Sequence, residues 1–194
     1  MTLKRTLSFV IDFIVIIIVF NIINSIIPNS DYVKELEVEQ NQILEDYTSH
    51  DIGFDKYFYR YSKVVYALSK ERLSANIIYT IFLIIYVVII PYIFKGRTLG
   101  TYINGLQIER FDKGKLKIHQ LFIRNSIVFG LIYLIVSNLC IFISDKYYYL
   151  AISSIGLLQI IVALFSANMI LFTKNKRGIQ DLISNTEIVK ILKI

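Results

Sequence analysis

The sequence predicts an all-α membrane protein, a four-transmembrane-helix bundle of N-in/C-in orientation. A long extracytoplasmic first loop and a small cytoplasmic β-hairpin with a C-terminal helix and strand complete the predicted architecture. Three observations lead there. The 194-residue chain is 55% apolar, with a mean hydropathy of +0.57. Its apolar residues gather into runs of about 20 residues or more, enough to cross a hydrocarbon core of roughly 30 Å. The basic residues are lopsided: the segments that would face the cytoplasm hold 14 of the 21 Lys and Arg, Lys174 and Lys193 among them. The segment 28–74 carries six Lys and Arg against nine Asp and Glu, so the positive-inside rule sets both termini in the cytoplasm.

The predicted spans are 7–27, 75–94, 121–143 and 149–172, within one membrane domain covering 1–194. The first could be mistaken for a signal peptide because Lys4 and Arg5 precede it. Its apolar run is too long, it contains Asp12, and Pro28-Asn29-Ser30 offers no small-residue cleavage site, so it reads as a retained helix.

The extracytoplasmic loop 28–74 is too long to be structureless. Val33, Leu36, Ile43, Leu44 and Tyr47 have rough helical spacing among carboxylates, and Gly53 ends the pattern. From Phe54 to Leu73 the chain is rich in Tyr and basic residues, a composition that suits an interfacial helix covering the outer face of the bundle. A tight outer turn is expected at 144–148, with an aromatic belt at Tyr147, Tyr148 and Tyr149.

The cytoplasmic loop 95–120 opens with Gly96-Arg97-Thr98-Leu99-Gly100. Alternation of Leu106/Ile108 and Leu116/Ile118 around Gly114 predicts a β-hairpin. In the tail, 173–194, a short amphipathic helix is expected over Arg177–Ser184, and Thr186–Ile191 reads as a strand that pairs with the hairpin. Gly96 and Gly100 form a small-xxx-small pair that suits close backbone packing. The Gly-x-Gly-x-x-Gly and P-loop spacings are absent.

Asp12 is the most informative single residue. A carboxylate in a membrane helix costs roughly 2.5–3.5 kcal/mol and calls for a partner or a task. It follows Arg5 by seven residues, close to two helical turns. Arg124 and Asn125 near the start of the third span, and Asn168 near the inner end of the fourth, fall at a similar shallow depth. Pro91 there leaves the Val87 carbonyl without its helical donor. We therefore expect one inner-leaflet polar layer, with an Asp12–Arg124 ion pair and Asn125 and Asn168 as hydrogen-bond partners. An arginine partner would keep Asp12 permanently ionised, so a role in fixing helix register ranks ahead of ion carriage. Asp181, in the tail helix, is expected to pair with Arg97 or Arg110.

The remaining residues exclude more than they propose. Cys140 is the lone cysteine, so no intrachain disulfide can form. His50 and His119 would lie on opposite sides of the membrane. With no metal, cofactor or nucleophile–base constellation visible, an enzyme is not expected. The net charge of +6 fits topology and anionic lipid headgroups better than nucleic acid.

Arg5…Asp12, Gly96-x-Thr98-Leu99-Gly100, Gly105-Leu106-x-Ile108, Arg124-Asn125 and Arg177-Gly178-Ile179-Gln180-Asp181-Leu182-Ile183-x-x-Thr186 occur in an order that resembles the RDD family of bacterial membrane proteins. The arginine and two aspartates that name the family would be Arg5, Asp12 and Asp181. Asn185 stands where that family often has alanine or glycine. The resemblance implies a bacterial cytoplasmic-membrane protein of poorly defined function, with transport, including sodium/proton exchange, proposed for some members. A small cation or proton transporter is thus the first functional expectation, and it would need a homodimer for a substrate path. The competing class is an interaction protein: an assembly factor, accessory subunit or immunity protein that holds a partner through 29–73 or the cytoplasmic sheet.

Overall fold

The computed structural model describes residues 2–27, 30–143, 145–173 and 176–191. Lys174 and Lys193 of the charge count, Pro28 and Asn29 of the cleavage-site argument, and Ser144 of the outer turn lie outside the described residues.

Helix α1 (Thr2–Ile26) holds neither Gly nor Pro and runs unbroken. Two amphipathic helices follow, α2 (Asp31–Thr48) and α3 (Phe54–Glu71). The Ser30 hydroxyl caps α2 by accepting from Val33 N–H at 3.3 Å, which satisfies one of the free donors of the first turn. Val33, Leu36 and Ile43 of α2 bury against Val64 and Leu68 of α3. The loop is therefore a helical hairpin with its own apolar cluster. An aromatic stack through Tyr47, Tyr57, Tyr61 and Tyr149 links it to the fourth predicted span.

The second predicted span begins as α4 (Leu73–Ile84), passes through a π-helical turn (Ile85–Ile89), and ends as α5 (Ile90–Ile93). Such turns insert a residue into the ladder, and this one lies just before Pro91. A five-residue helix, α6 (Leu99–Ile103), and strand β1 (Leu106–Arg110) follow.

The third predicted span is not one straight helix. It divides at Gly130 into α7 (Ile118–Phe129) and α8 (Leu131–Cys140), which meet at 79°. Gly130 has φ +69°, a left-handed conformation that glycine adopts without a Cβ clash, and the side chain of Gln159 donates to the Ile127 carbonyl at 2.8 Å beside the break. Helix α9 (Asp145–Phe172) starts earlier than expected, so Tyr147 and Tyr148 lie in a helix rather than a turn. The chain closes with α10 (Ile179–Ile183) and strand β2 (Thr186–Lys190).

Three helical stretches among the described residues, Thr2–Ile26, Leu73–Ile93 and Tyr147–Phe172, are long and apolar enough to cross a membrane, and α7 with α8 makes a fourth if the bent pair is one span. Their outer surfaces stay apolar and exposed, as at Ile14, Ile18, Leu157 and Leu164.

The predicted hairpin is overturned. Lys115–Lys117 form no strand, and Ile118 starts α7. Strand β1 instead pairs antiparallel with β2, Ile108 opposite Ile188. The alternation at Leu116 and Ile118 had the right period, yet Leu116 packs against the main core as the chain enters a helix. The register sets Glu109 against Glu187. Lys113 bridges them at 3.6 and 2.7 Å, and its hydrogen bond to Glu187 raises its ammonium above the usual lysine range. Asn185 enters β2 with φ +52°, a conformation asparagine tolerates better than alanine.

Candidate functional site

The expected single polar layer separates into two clusters with different chemistry. In the first, Asp12 is 3% exposed and receives three donors. Tyr86 Oη donates to Oδ1 at 2.6 Å, Gly100 N–H donates to Oδ1 at 2.8 Å, and Thr98 Oγ1 donates to Oδ2 at 2.6 Å. Each donor is neutral. The predicted Asp12–Arg124 ion pair is absent among the described residues, because the guanidinium is spent elsewhere.

Local structure explains how these donors converge. Tyr86 lies in the π turn. Thr98 is the N-cap of α6 and exchanges hydrogen bonds with Thr101, whose Oγ1 accepts from Thr98 N–H at 2.8 Å. Gly100 permits the approach of α6 to α1: a Cβ there would stand 2.1 Å from the Ser8 carbonyl oxygen and 2.9 Å from Asp12 Cγ. Gly96 serves the strand in the same way, since its Cβ would meet the Ile108 carbonyl oxygen at 1.9 Å. Gly96 (φ +82°) and Gly105 (φ +63°) flank α6 on either side.

The second cluster is a clamp on the tail. Asp181, fully buried, accepts from Arg124 Nη1 through Oδ1. Its Oδ2 accepts from Gly178 N–H at 3.0 Å, capping α10, and lies 3.8 Å from Arg5 Nη1. Asp181 is thus paired with Arg124 and Arg5, not with Arg97 or Arg110. Arg5 also donates to the Lys176 and Ile188 carbonyls, so it fastens α1 to the tail and to the free edge of β2. Arg124 adds a bond to Thr186 Oγ1 at 3.2 Å. Arg97 bonds Gln107 Oε1, and Arg110 pairs with Asp112 at 2.7 Å.

The two asparagines part company. Asn125 Nδ2 donates to the Val87 carbonyl, the acceptor that Pro91 leaves without its helical donor. Asn168 is exposed and bonds the Leu164 carbonyl of its own helix at 2.9 Å, so it belongs to neither cluster. Its azimuth on α9, which depth alone does not fix, turns it away from both clusters.

Sequence reasoning missed Tyr86, Gln120, Ser166 and Gln180. Gln120 donates to the Ser184 carbonyl at 2.8 Å, and Ser166 bonds both Gln180 Oε1 and, as acceptor, Ile179 N–H. The available signal was a hydroxyl within an apolar run, Tyr86 between Ile85 and Val87 and Ser166 between Phe165 and Ala167.

These two clusters hold the three residues that the resemblance matches to the family's arginine and two aspartates, Asp12 alone in one, Arg5 and Asp181 together in the other. No curated protein and no solved structure matches this chain. A family model described as the RDD family matches residues 2–185, nearly the whole length, and the chain belongs to the RDD family.

Proposed function

We propose that this protein is a small, non-enzymatic cation or proton transporter in a bacterial cytoplasmic membrane, with both termini inside and Asp12 as the ion-carrying group. The single supporting observation is the division of charges. Both buried arginines attend Asp181, whereas the buried Asp12 has three neutral donors and, among the described residues, no cation. Intramembrane carboxylates of this kind mark ion routes. The arginine pairing that favoured a register role for Asp12 has gone to another residue.

The donors suit exchange. If Tyr86 and Thr98 turned their hydrogens outward, their oxygens and the carboxylate would offer a small cation three ligands. A proton on Asp12 would do the converse. Helix α6 covers the carboxylate, so access requires its displacement about the glycines on each side. A homodimer would supply the remaining walls of a path.

Ion-coupled ΔpH in proteoliposomes tests this reading. Wild type should dissipate an imposed gradient when sodium or potassium is added, and Asp12→Asn should abolish the flux without loss of folded protein. Equal traces for the two would end the proposal.

A second reading, binding of a partner protein through the α2–α3 hairpin, draws support from the hairpin's separate apolar cluster and from the exposed Val38 and Leu44 on α2.

A further inference from the structure

Where α5 ends, the chain turns abruptly from apolar to basic. Ile93 and Phe94 are exposed, and Lys95 follows. A groove of about 500 Å³ opens here between Tyr92 and the 110–116 loop, its lining including Lys95, Arg110, Lys113 and Lys115 against Glu109. Asp112 and Glu187 neutralise Arg110 and Lys113. Lys95 and Lys115 have no carboxylate within ion-pair distance among the described residues.

Two further observations concern the same walls. Arg110 Nε, like Arg5, Arg97 and Arg177 Nε, is shut off from solvent and has no hydrogen-bond partner among the described residues. Lys95 (φ +53°) and Lys113 (φ +62°) both hold left-handed backbone, which costs an L-residue of this kind roughly 1–2 kcal/mol. Glycine or asparagine would relieve that strain; at 113 the ammonium bridges Glu109 and Glu187, whereas lysine at 95, with no such partner among the described residues, points to a use for its ammonium group. Tyr92, half-exposed beside them, has the amphipathic character of a residue at headgroup depth.

We propose that this groove binds a phosphate group at the membrane boundary, carried by an anionic phospholipid headgroup or by a free phosphate. Lys95 and Lys115 supply the uncompensated charge. Basic pockets next to spans hold headgroups in this way. The inference stands apart from ion carriage at Asp12 and does not depend on it.

Full-length protein in detergent, incubated with equimolar phosphatidylglycerol and phosphatidylcholine of matched chains, provides the test, with retained lipid counted by native mass spectrometry. Wild type should retain phosphatidylglycerol preferentially. Lys95→Asn with Lys115→Gln should weaken that preference about 30-fold, the loss expected for two such charges. Asparagine tolerates the left-handed backbone at 95, so the fold should survive. Lys115→Gln alone, with an expected loss of about fivefold, decides the matter if the double variant does not fold. Lys56→Gln with Lys70→Gln on α3 should change nothing. Inorganic phosphate that displaces the lipid, or binds with the same lysine dependence, identifies the free anion as ligand; failure to compete identifies the headgroup. Equal retention of both lipids with no phosphate binding, or a preference indifferent to Lys115, overturns the proposal.

Discussion

Asp12 and Asp181 are chemically the same residue in opposite electrostatic settings, and the difference is measurable. Replacing Asp181 by asparagine leaves Arg124 and Arg5 buried without a counter-charge, and breaking a buried pair costs about 3–5 kcal/mol. Asp12→Asn keeps an acceptor for Gly100 N–H, and the two hydroxyls can rotate to find another. It should cost about 1–2 kcal/mol, the scale of weakened neutral hydrogen bonds. Denaturation of the purified protein should therefore rank Asp181→Asn as clearly the more damaging, and the reverse order would contradict the assignment of the arginines. Asn125 permits a second test. Asn125→Ala strips the Val87 carbonyl of its donor, an expected loss of about 1–3 kcal/mol for a buried unsatisfied group. Pro91→Ala restores a backbone N–H near that carbonyl and should recover part of the loss only in the Asn125→Ala background, a coupling that a double-mutant cycle reads directly.

Among the elements, the bend at Gly130 is the feature least visible in advance. The run 121–143 is predominantly apolar on both sides of Gly130, and a lone glycine in a helical pattern is ordinarily tolerated. Its φ of +69° makes it a hinge point. Alanine there would have room, its Cβ coming no closer than 3.8 Å to Gln159, so the penalty is conformational. Gly130→Ala should destabilise by about 1–2 kcal/mol. A stabilising effect, with gained helicity in the far-ultraviolet circular dichroism, would mean that the helix prefers to run straight. The sheet carries a related lesson. The strand at 186–190 was legible from alternation, as was its partner at 106–110, but the second arm of the hairpin was not a strand. Alternation over a few residues cannot separate a strand from a chain entering a helix, and the bond from Ile108 N–H to the Gly96 carbonyl takes the edge that a hairpin arm would have used.

Across the whole molecule, the apolar residues form separate clusters. One joins Ile16, Leu83, Val87, Leu121 and Leu131, another lies within the α2–α3 hairpin, and a further one packs Cys140, Ile141 and Tyr148 against Val65, Tyr66 and Leu73. Replacing 31–71 by a short linker should therefore leave the Asp12 cradle and the Asp181 clamp folded. Exchange protection of the Thr186–Lys190 amides should persist in that variant, and its loss would show that the hairpin supports the clamp. If ion flux survives the deletion, the hairpin serves something other than transport. The tail clamp has a further consequence for the molecule. Arg5 on the first helix bonds the carbonyls of Lys176 and Ile188, so α1 and the segment 176–188 are joined at one place.

The sequence by itself determined the apolar helices, the helical content of the long loop and the strand near the C-terminus, because hydropathy, periodicity and local glycine chemistry are properties of short stretches. It placed Asp12, Arg124 and Asn125 at one depth, since rise per residue converts position into height. Which carboxylate takes which arginine was decided only by the tertiary structure. Ion pairing depends on azimuth and on which helices are neighbours, and a depth argument contains neither. The separation of seven positions from Arg5 to Asp12 puts them on one face of one helix. The fold then gave Arg5 to the tail and left Asp12 with neutral donors.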